Sequence, residues 1–462
     1  MNAVKTDTGA TSYGERSSRK EAKVPKRAIC LGGGGPAVGL HIGALDSLKV
    51  HGIEFGNERG VWALSCIGAW AGVLYNQAKA GREIEETYRF FEGIFRDDRS
   101  FSSFPTNTVF APDWAGSAEA MLDYLFDPRN YRNAFLPRHI VHSWMYTLGY
   151  LGRRRNWRKF SEGDFNRWTL NHVLAINPLV RFLTGLLYKS EIDGRSRLFF
   201  EDAKFLSDIK FNKLDDAGKP FIFFNAFNFA RKDIDLFAND PPHWQGRRHK
   251  AITPESLCAC SALPFIEQTV QVGGPVYCEG ALVDTVNFAN LLEEHHTKED
   301  LLDEIWINRI VDASQIHKPC NLHDALANLC QLFAATVGED DIRLFKYHIK
   351  EHNALPEGER PYPAFLGTII EIDVNDQINF HWSHSNLAAG RTFGSQSAYN
   401  AFKLYKKYKD EKKATTHKNK VLMIPDDLTD EEILAAGVPL SPRRKRQNEE
   451  KLRRSLAQPS VA

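Results

Sequence analysis

An α/β fold is what this sequence predicts, on the strength of two strand–turn–helix units near its amino terminus and a length able to bury a large core. In the first unit, a short apolar stretch at 28–31 runs into four glycines at 32–35. The residues that follow, 36–49, place Leu40, Gly43, Ala44, Leu45 and Leu48 at helical spacing. In the second unit, apolar residues at 62–64 lead through Ser65 and Cys66 into small residues and a helix expected over 70–80. With 462 residues, 43% of them hydrophobic, the chain can bury an α/β core and one satellite subdomain.

The glycine run carries chemistry of its own. Bare backbone N–H groups at a helix start stabilise negative charge, either a bound phosphate or the oxyanion of acyl transfer. A dinucleotide loop needs glycine at its first, third and sixth positions. Counting from Gly33 the sixth residue is Val38, and from Gly32 it is Ala37. A phosphate loop ends in Gly-Lys-Ser/Thr, and no such triplet follows. Nucleotide binding is therefore a remote alternative. Acyl transfer gains from the second turn, because a nucleophile elbow is a strand–nucleophile–helix turn written Gly-x-Ser-x-Gly. The pentad here is Leu64-Ser65-Cys66-Ile67-Gly68, with the second glycine kept and Cys at the centre.

A third block, 256–284, reads SLCACSALPFIEQTVQVGGPVYCEGALVD. With it the chain resembles the patatin-like phospholipase family over roughly residues 27–300. Gly33, Gly34 and Gly35 with His41-Ile42-Gly43 resemble the family's oxyanion loop and helix. Residues 260–264 resemble its AS-A-ALP helix end, and 276–284 its YxDGGLVDN loop. The resemblance implies a three-layer α/β/α domain with a mostly parallel sheet over 27–312, a helical insertion at about 96–200, and a carboxy-terminal extension over 313–415. It also implies hydrolysis of lipid or other acyl esters through an acyl-enzyme, with no cofactor and no metal. Carried over by position, Cys66 takes the nucleophile's place and Glu279 the base's, where the family has Ser and Asp. Gly33, Gly34 and Gly35 would hold the oxyanion. The arginine often found after the glycine run is replaced near Ala37, and the glycine closing the loop is Val38.

Those departures leave two readings open: a working acyl-enzyme site, and a catalytically degenerate module that binds lipid or protein. A thiol at a helix N-terminus gains thiolate character, whereas a carboxylate beside it raises the thiol pKa. His41 is an auxiliary candidate as a partner for the thiol. Asp284 is a second acidic candidate, although a cap on the following turn suits it better. Cys66 also fits a small buried residue under the sheet. Ser65 should point to the opposite side. Cys258 and Cys260 have the wrong spacing for a zinc knuckle, and no second pair completes one.

The remaining chain is read more coarsely. Net charge is +1, which gives no global attraction to nucleic acid. Seven cysteines without a regular pattern suit a reducing compartment, hence a cytoplasmic expectation with peripheral membrane contact. Residues 1–26 lack an apolar core of the signal-peptide kind and read as disordered. Inside the insertion, aromatics at 144–151 precede a basic run at 153–159, a pairing that suits an anionic lipid surface as well as a solvated patch. Strands are expected at 221–227, 234–237, 304–311 and 368–372, and helices at 256–262, 322–337 and 395–412. The charged tail, 416–462, carries a capping box, Thr429-x-x-Glu432, for one short helix and a solvated charge run at 443–446.

Overall fold

The computed structural model describes residues 24–95, 111–112, 114–152, 161–189, 196–197, 204–288, 290–374, 376, 378–414 and 421–457. Most of the expected amino-terminal disordered segment and the basic run at 153–159 lie outside the described residues.

Strand β1 (Arg27–Leu31) and strand β2 (Gly60–Leu64) are almost wholly buried and pair in parallel, Ile29 opposite Trp62 and Leu31 opposite Leu64. Burial on both faces is why they read as continuous apolar runs instead of alternating ones. Helix α1 (Val38–Val50) follows β1, and helices α2 (Ile67–Gln77) and α3 (Glu83–Ile94) follow β2. The insertion then contributes helices α4 (Trp114–Phe126), α5 (Pro128–Ala134), α6 (Pro137–Leu151), α7 (Glu162–Thr169) and α8 (Pro178–Lys189).

The chain returns to the sheet with β3 (Phe221–Asn228) and β4 (Asp233–Ala238), an antiparallel pair. A two-residue strand β5 (Lys250–Ala251) comes next. Helix α9 (Pro254–Cys260) then starts at a Thr253–Ser256 capping box with Pro254 in its first turn. After it come β6 (Val270–Gln271), β7 (Val276–Glu279) and β8 (Glu304–Asn308). Helix α10 (Leu322–Ala354), strand β9 (Thr368–Glu371), helix α11 (His384–Ala414), strand β10 (Leu422–Ile424) and helices α12 (Asp430–Ala435) and α13 (Pro442–Ala457) complete the order. Among the described residues the sheet runs β10-β9-β8-β1-β2-β3-β4-β5, with β7 pairing on β3 and β6 on β7. Every neighbour from β10 to β3 is parallel, and β3 meets β4 and β7 antiparallel. The result is a mixed α/β fold with a mostly parallel central sheet.

The strand expected at 368–372 forms as β9, and with β10 it extends the sheet beyond β8. Two expectations for the carboxy-terminal third need correction. Helix α11 begins at His384, not 395, and packs closely along α1. A Cβ on Gly43 would lie 1.9 Å from the Arg391 carbonyl oxygen, and one on Gly394 would lie 2.2 Å from that of Leu40. Glycines four apart on both helices, Gly39 and Gly43 against Gly390 and Gly394, let the backbones touch. The charge run at 443–446 is likewise not a solvated patch. Arg443 is 9% exposed and ion-paired with Glu371 at the end of β9, which also takes Lys346 from α10. Arg444 pairs with Asp430 at 2.9 Å. Such partners lie far away in sequence, so a local charge count cannot reveal them.

Candidate active site

Both turns converge at the carboxyl ends of β1 and β2, the end of a parallel sheet where α/β proteins collect ligands. After β1, the Gly32 N–H donates to the Asn308 carbonyl at 3.2 Å, and the Gly33 N–H to the Thr285 carbonyl at 3.3 Å. Gly33 is therefore not free to hold an oxyanion, which corrects the sequence expectation. Gly34 and Gly35 are partly exposed beside the cleft, and Gly35 adopts φ 48°, a conformation that favours glycine, as the chain turns toward α1. The N–H groups of these two residues form the candidate donor set.

After β2, Cys66 takes φ 49° and ψ −123° at the start of α2. A non-glycine residue in this region is strained, and such strain collects at functional turns. It is the geometry an elbow needs to lift one side chain clear of the strand. Its carbonyl accepts the Ala69 N–H at 3.0 Å, and the Ser65 carbonyl accepts that of Gly68 at 2.9 Å. The Ile67 N–H is directed at the Cys66 sulfur. An elbow places the N–H after its nucleophile in the oxyanion hole, so the Ile67 N–H is a further candidate donor, absent from the sequence reading although the motif itself could have named it. Ser65 is fully buried and donates to Asn225 Oδ1 at 3.0 Å, away from this space, as expected.

Glu279 ends β7, opposite Ala226 of β3, with its N–H donated to the Ala262 carbonyl at 2.9 Å. Its carboxyl lies close enough to the Cys66 thiol for each to shift the other. A Cβ placed on Gly33 would lie 3.2 Å from Cys66 Cβ and 3.8 Å from Glu279 Oε1, so glycine loop, thiol and carboxyl share one small space. Burial lifts the Glu279 carboxyl to about 7, against the opposing pull of the neighbouring Cys66 thiol. Burial, then the Glu279 charge and the neighbouring Cys260, push the Cys66 thiol well up, opposed by the Ile67 N–H. The thiol thus rests protonated, beside a carboxyl that titrates near neutrality.

Two auxiliary candidates stand elsewhere. His41 is wholly buried, with Nε2 2.9 Å from the Gly32 carbonyl and Nδ1 3.1 Å from the Asn308 side-chain nitrogen. Burial lowers it to about 4, so the ring is neutral, donating from Nε2 and accepting at Nδ1. Both nitrogens are committed to holding the glycine loop against β8, and His41 is not a partner for Cys66. Asp284 accepts the Asn287 N–H at 2.6 Å, while its carbonyl accepts the Asn225 side-chain amide at 2.8 Å. It closes a turn, in keeping with the capping expectation.

The shared space opens into a cleft. Apolar residues from five separate regions line it: Trp70 of α2, Phe91 of α3, Leu263 and Ile266 after α9, Phe333 of α10 and Trp382 before α11. The last two come from residues that no motif marked, since an apolar residue on a late helix looks like any core residue in sequence. Among the described residues, no group of three or more His, Cys, Asp or Glu side chains is placed to hold a metal.

The patatin-like phospholipase family model matches residues 29–292, more than half of the chain. No curated protein matches it. Among solved structures, VipD from Legionella pneumophila aligns with 89% of this chain and 73% of its own, at 11% identity and a TM-score of 0.34.

Proposed function

The chain belongs to the patatin-like phospholipase family, and on that premise we propose that it hydrolyses carboxylic esters of lipids through a thioester on Cys66. The observation that carries this reading is the strained Cys66 at φ 49°, its thiol beside Glu279 in an apolar cleft. An ester carbonyl brought over the sulfur would meet Gly34, Gly35 and Ile67 N–H groups on its oxygen side. Glu279, ionised, takes the thiol proton as sulfur attacks the carbonyl carbon. A carboxyl near 7 is matched to such transfer at neutral pH. The tetrahedral intermediate collapses, and Glu279 returns the proton to the departing alkoxide, leaving a thioester. Water attacks the thioester with Glu279 again as base, and the thiol leaves with the proton restored. The cleft walls suit an acyl chain, and no step calls for metal or nucleotide.

A second reading has its own observation. The Gly33 N–H is spent on Thr285, and the thiol is held protonated, which together fit a degenerate site that binds lipid without cleaving it. Hydrolysis of short p-nitrophenyl esters separates the two. We expect activity in the native chain, lost in Cys66→Ala and after iodoacetamide labelling of Cys66. Activity that persists through complete labelling removes Cys66 from the mechanism. Absence of activity in a folded native chain favours the binding module.

A further inference from the structure

Strand β3 joins the two halves of the site. Along its edge away from β4 it pairs first with β2, up to Phe224 opposite Leu64, and then with β7, from Ala226 opposite Glu279. Asn225 is the single residue between those two pairings. Cys66 lies two positions beyond Leu64, and Glu279 is itself the first β7 residue met. The strand's backbone therefore carries nucleophile and base on either side of one amide side chain.

That side chain is fully buried and touches both turns. Its Nδ2 donates to the Asp284 carbonyl at 2.8 Å, which leaves Oδ1 to accept the Ser65 hydroxyl at 3.0 Å. Ser65 immediately precedes Cys66. Gly280 immediately follows Glu279, and a Cβ there would stand 2.6 Å from Asn225 Oδ1, so the base loop lies flat on the amide. The residue before the nucleophile, the residue after the base and the end of the base loop thus all rest on one group. Buried hydrogen bonds are costly to leave unmade, which makes such a group rigid. The strained Cys66 turn needs a support of this kind, because strain persists only where surroundings enforce it. In sequence Asn225 reads as one more residue of an apolar strand.

We infer that Asn225 is a positioning residue whose amide sets the separation between the Cys66 sulfur and the Glu279 carboxyl. Proton transfer needs that pair within hydrogen-bond reach, so losing the brace slows the reaction and leaves the cleft able to bind. Its effect on turnover presupposes the lipid-ester reading, whereas its effect on the thiol does not. The thiol is followed by iodoacetamide labelling of the full-length chain at pH 8, read by peptide mass spectrometry. Buried Cys30 of β1 reports general unfolding in the same samples. The Glu279 charge pushes the Cys66 thiol up, so a carboxyl that drifts away lets it fall. In Asn225→Ala, Cys66 should label about three- to fourfold faster, more thiolate outweighing its lower nucleophilicity, while Cys30 stays protected. Ser65→Ala removes one contact of the brace and should shift labelling the same way, by less. Asn239→Ala loses a buried amide that holds the opposite end of β3 through the Ile222 N–H, and should leave Cys66 labelling unchanged. On p-nitrophenyl esters, Asn225→Ala should lower kcat about 100-fold and move KM by no more than about twofold. Unchanged Cys66 labelling in both Asn225→Ala and Ser65→Ala overturns the inference. Acceleration that Cys30 or Asn239→Ala matches overturns it as well, since that is general loosening. The labelling shift in a native chain without esterase activity supports the brace and removes the hydrolase reading.

Discussion

The backbone N–H of Cys66 donates to the sulfur of Cys260 at 3.1 Å, so one thiol holds from below the strained turn that presents another. Cys260 ends α9 and is fully buried, which pushes its thiol far up and keeps the sulfur a neutral acceptor. Cys260→Ala leaves a buried donor unmade, a loss of about 1–3 kcal/mol. Urea denaturation should show a fall in that range, and esterase activity should drop further than stability explains, because the turn loses its anchor. An unchanged midpoint would mean that the sulfur contact contributes nothing.

Gly68 sets the entry of α2. A Cβ there would stand 2.3 Å from the Leu31 carbonyl oxygen at the end of β1. The backbone atom cannot swing aside as a side chain can, so Gly68→Ala must push α2 off the sheet. We expect a loss of about 1–3 kcal/mol together with reduced activity, read by thermal unfolding and by ester hydrolysis.

Glu279 ties activity to pH and to stability in opposite senses. Its carboxyl titrates near 7 in the fold against 4.5 as the ordinary value. Below pH 4.5 it is protonated whether folded or unfolded and costs nothing. As pH rises from 4.5 to 7 the unfolded chain releases the proton first, so stability falls, by about 3 kcal/mol at pH 8. Glu279→Gln should therefore be more stable than the native chain at pH 8 and gain little at pH 4. Ester hydrolysis in the native chain should rise as pH passes through about 7 and be lost in Glu279→Gln. Denaturation curves at the two pH values, with a pH–rate profile, test both halves.

Replacing both reacting groups, Cys66→Ser with Glu279→Asp, distinguishes a cysteine enzyme from a damaged site. A carboxylate can deprotonate a hydroxyl during attack, whereas it disfavours a thiolate. If the donors at Gly34, Gly35 and Ile67 suffice, the double variant should create or raise hydrolysis wherever the native chain is weak. A native rate that falls on this change supports a chain adapted to Cys66. One lost oxyanion donor alone lowers rate by about 10²–10³, which sets the scale of difference to look for on the same ester.

Arg443 tests whether the last helix belongs to the fold. With Lys346 it neutralises Glu371, which is 4% exposed at the end of β9 and held far below the usual carboxylate range. Arg443→Met removes one of two cations from a buried carboxylate, a change that costs about 3 kcal/mol. Thermal unfolding should show the loss, and a tail independent of the sheet would show none.

Local pattern was enough for the elements whose signals are local. The glycine turn after β1, the small residues after β2, the capping box at Thr429, and the apolar runs of β3, β8 and β9 each sit where their spacing predicts. Helix α10 continues seventeen residues past the expected end at Val337, because charges on its second half obscure the apolar period without breaking the helix. The start of α11 was hidden for the opposite reason: its first turns are small and polar, suited to close contact with α1 and to no amphipathic template.

By itself, the sequence determined the α/β class, the order of the three blocks, and Cys66 and Glu279 as the residues at the two turns, since each depends on neighbours within a few positions. Tertiary structure alone decided what those residues can do. The Gly33 N–H is withdrawn by Thr285, His41 is turned into a bolt between Gly32 and Asn308, and Trp382 arrives to wall the cleft, each through partners at unrelated positions. Burial moves the carboxyl of Glu279 to about 7 and lifts the Cys66 thiol. Hydrogen-bond saturation and desolvation are properties of the packed chain, and residue identity does not encode them until the strands are side by side.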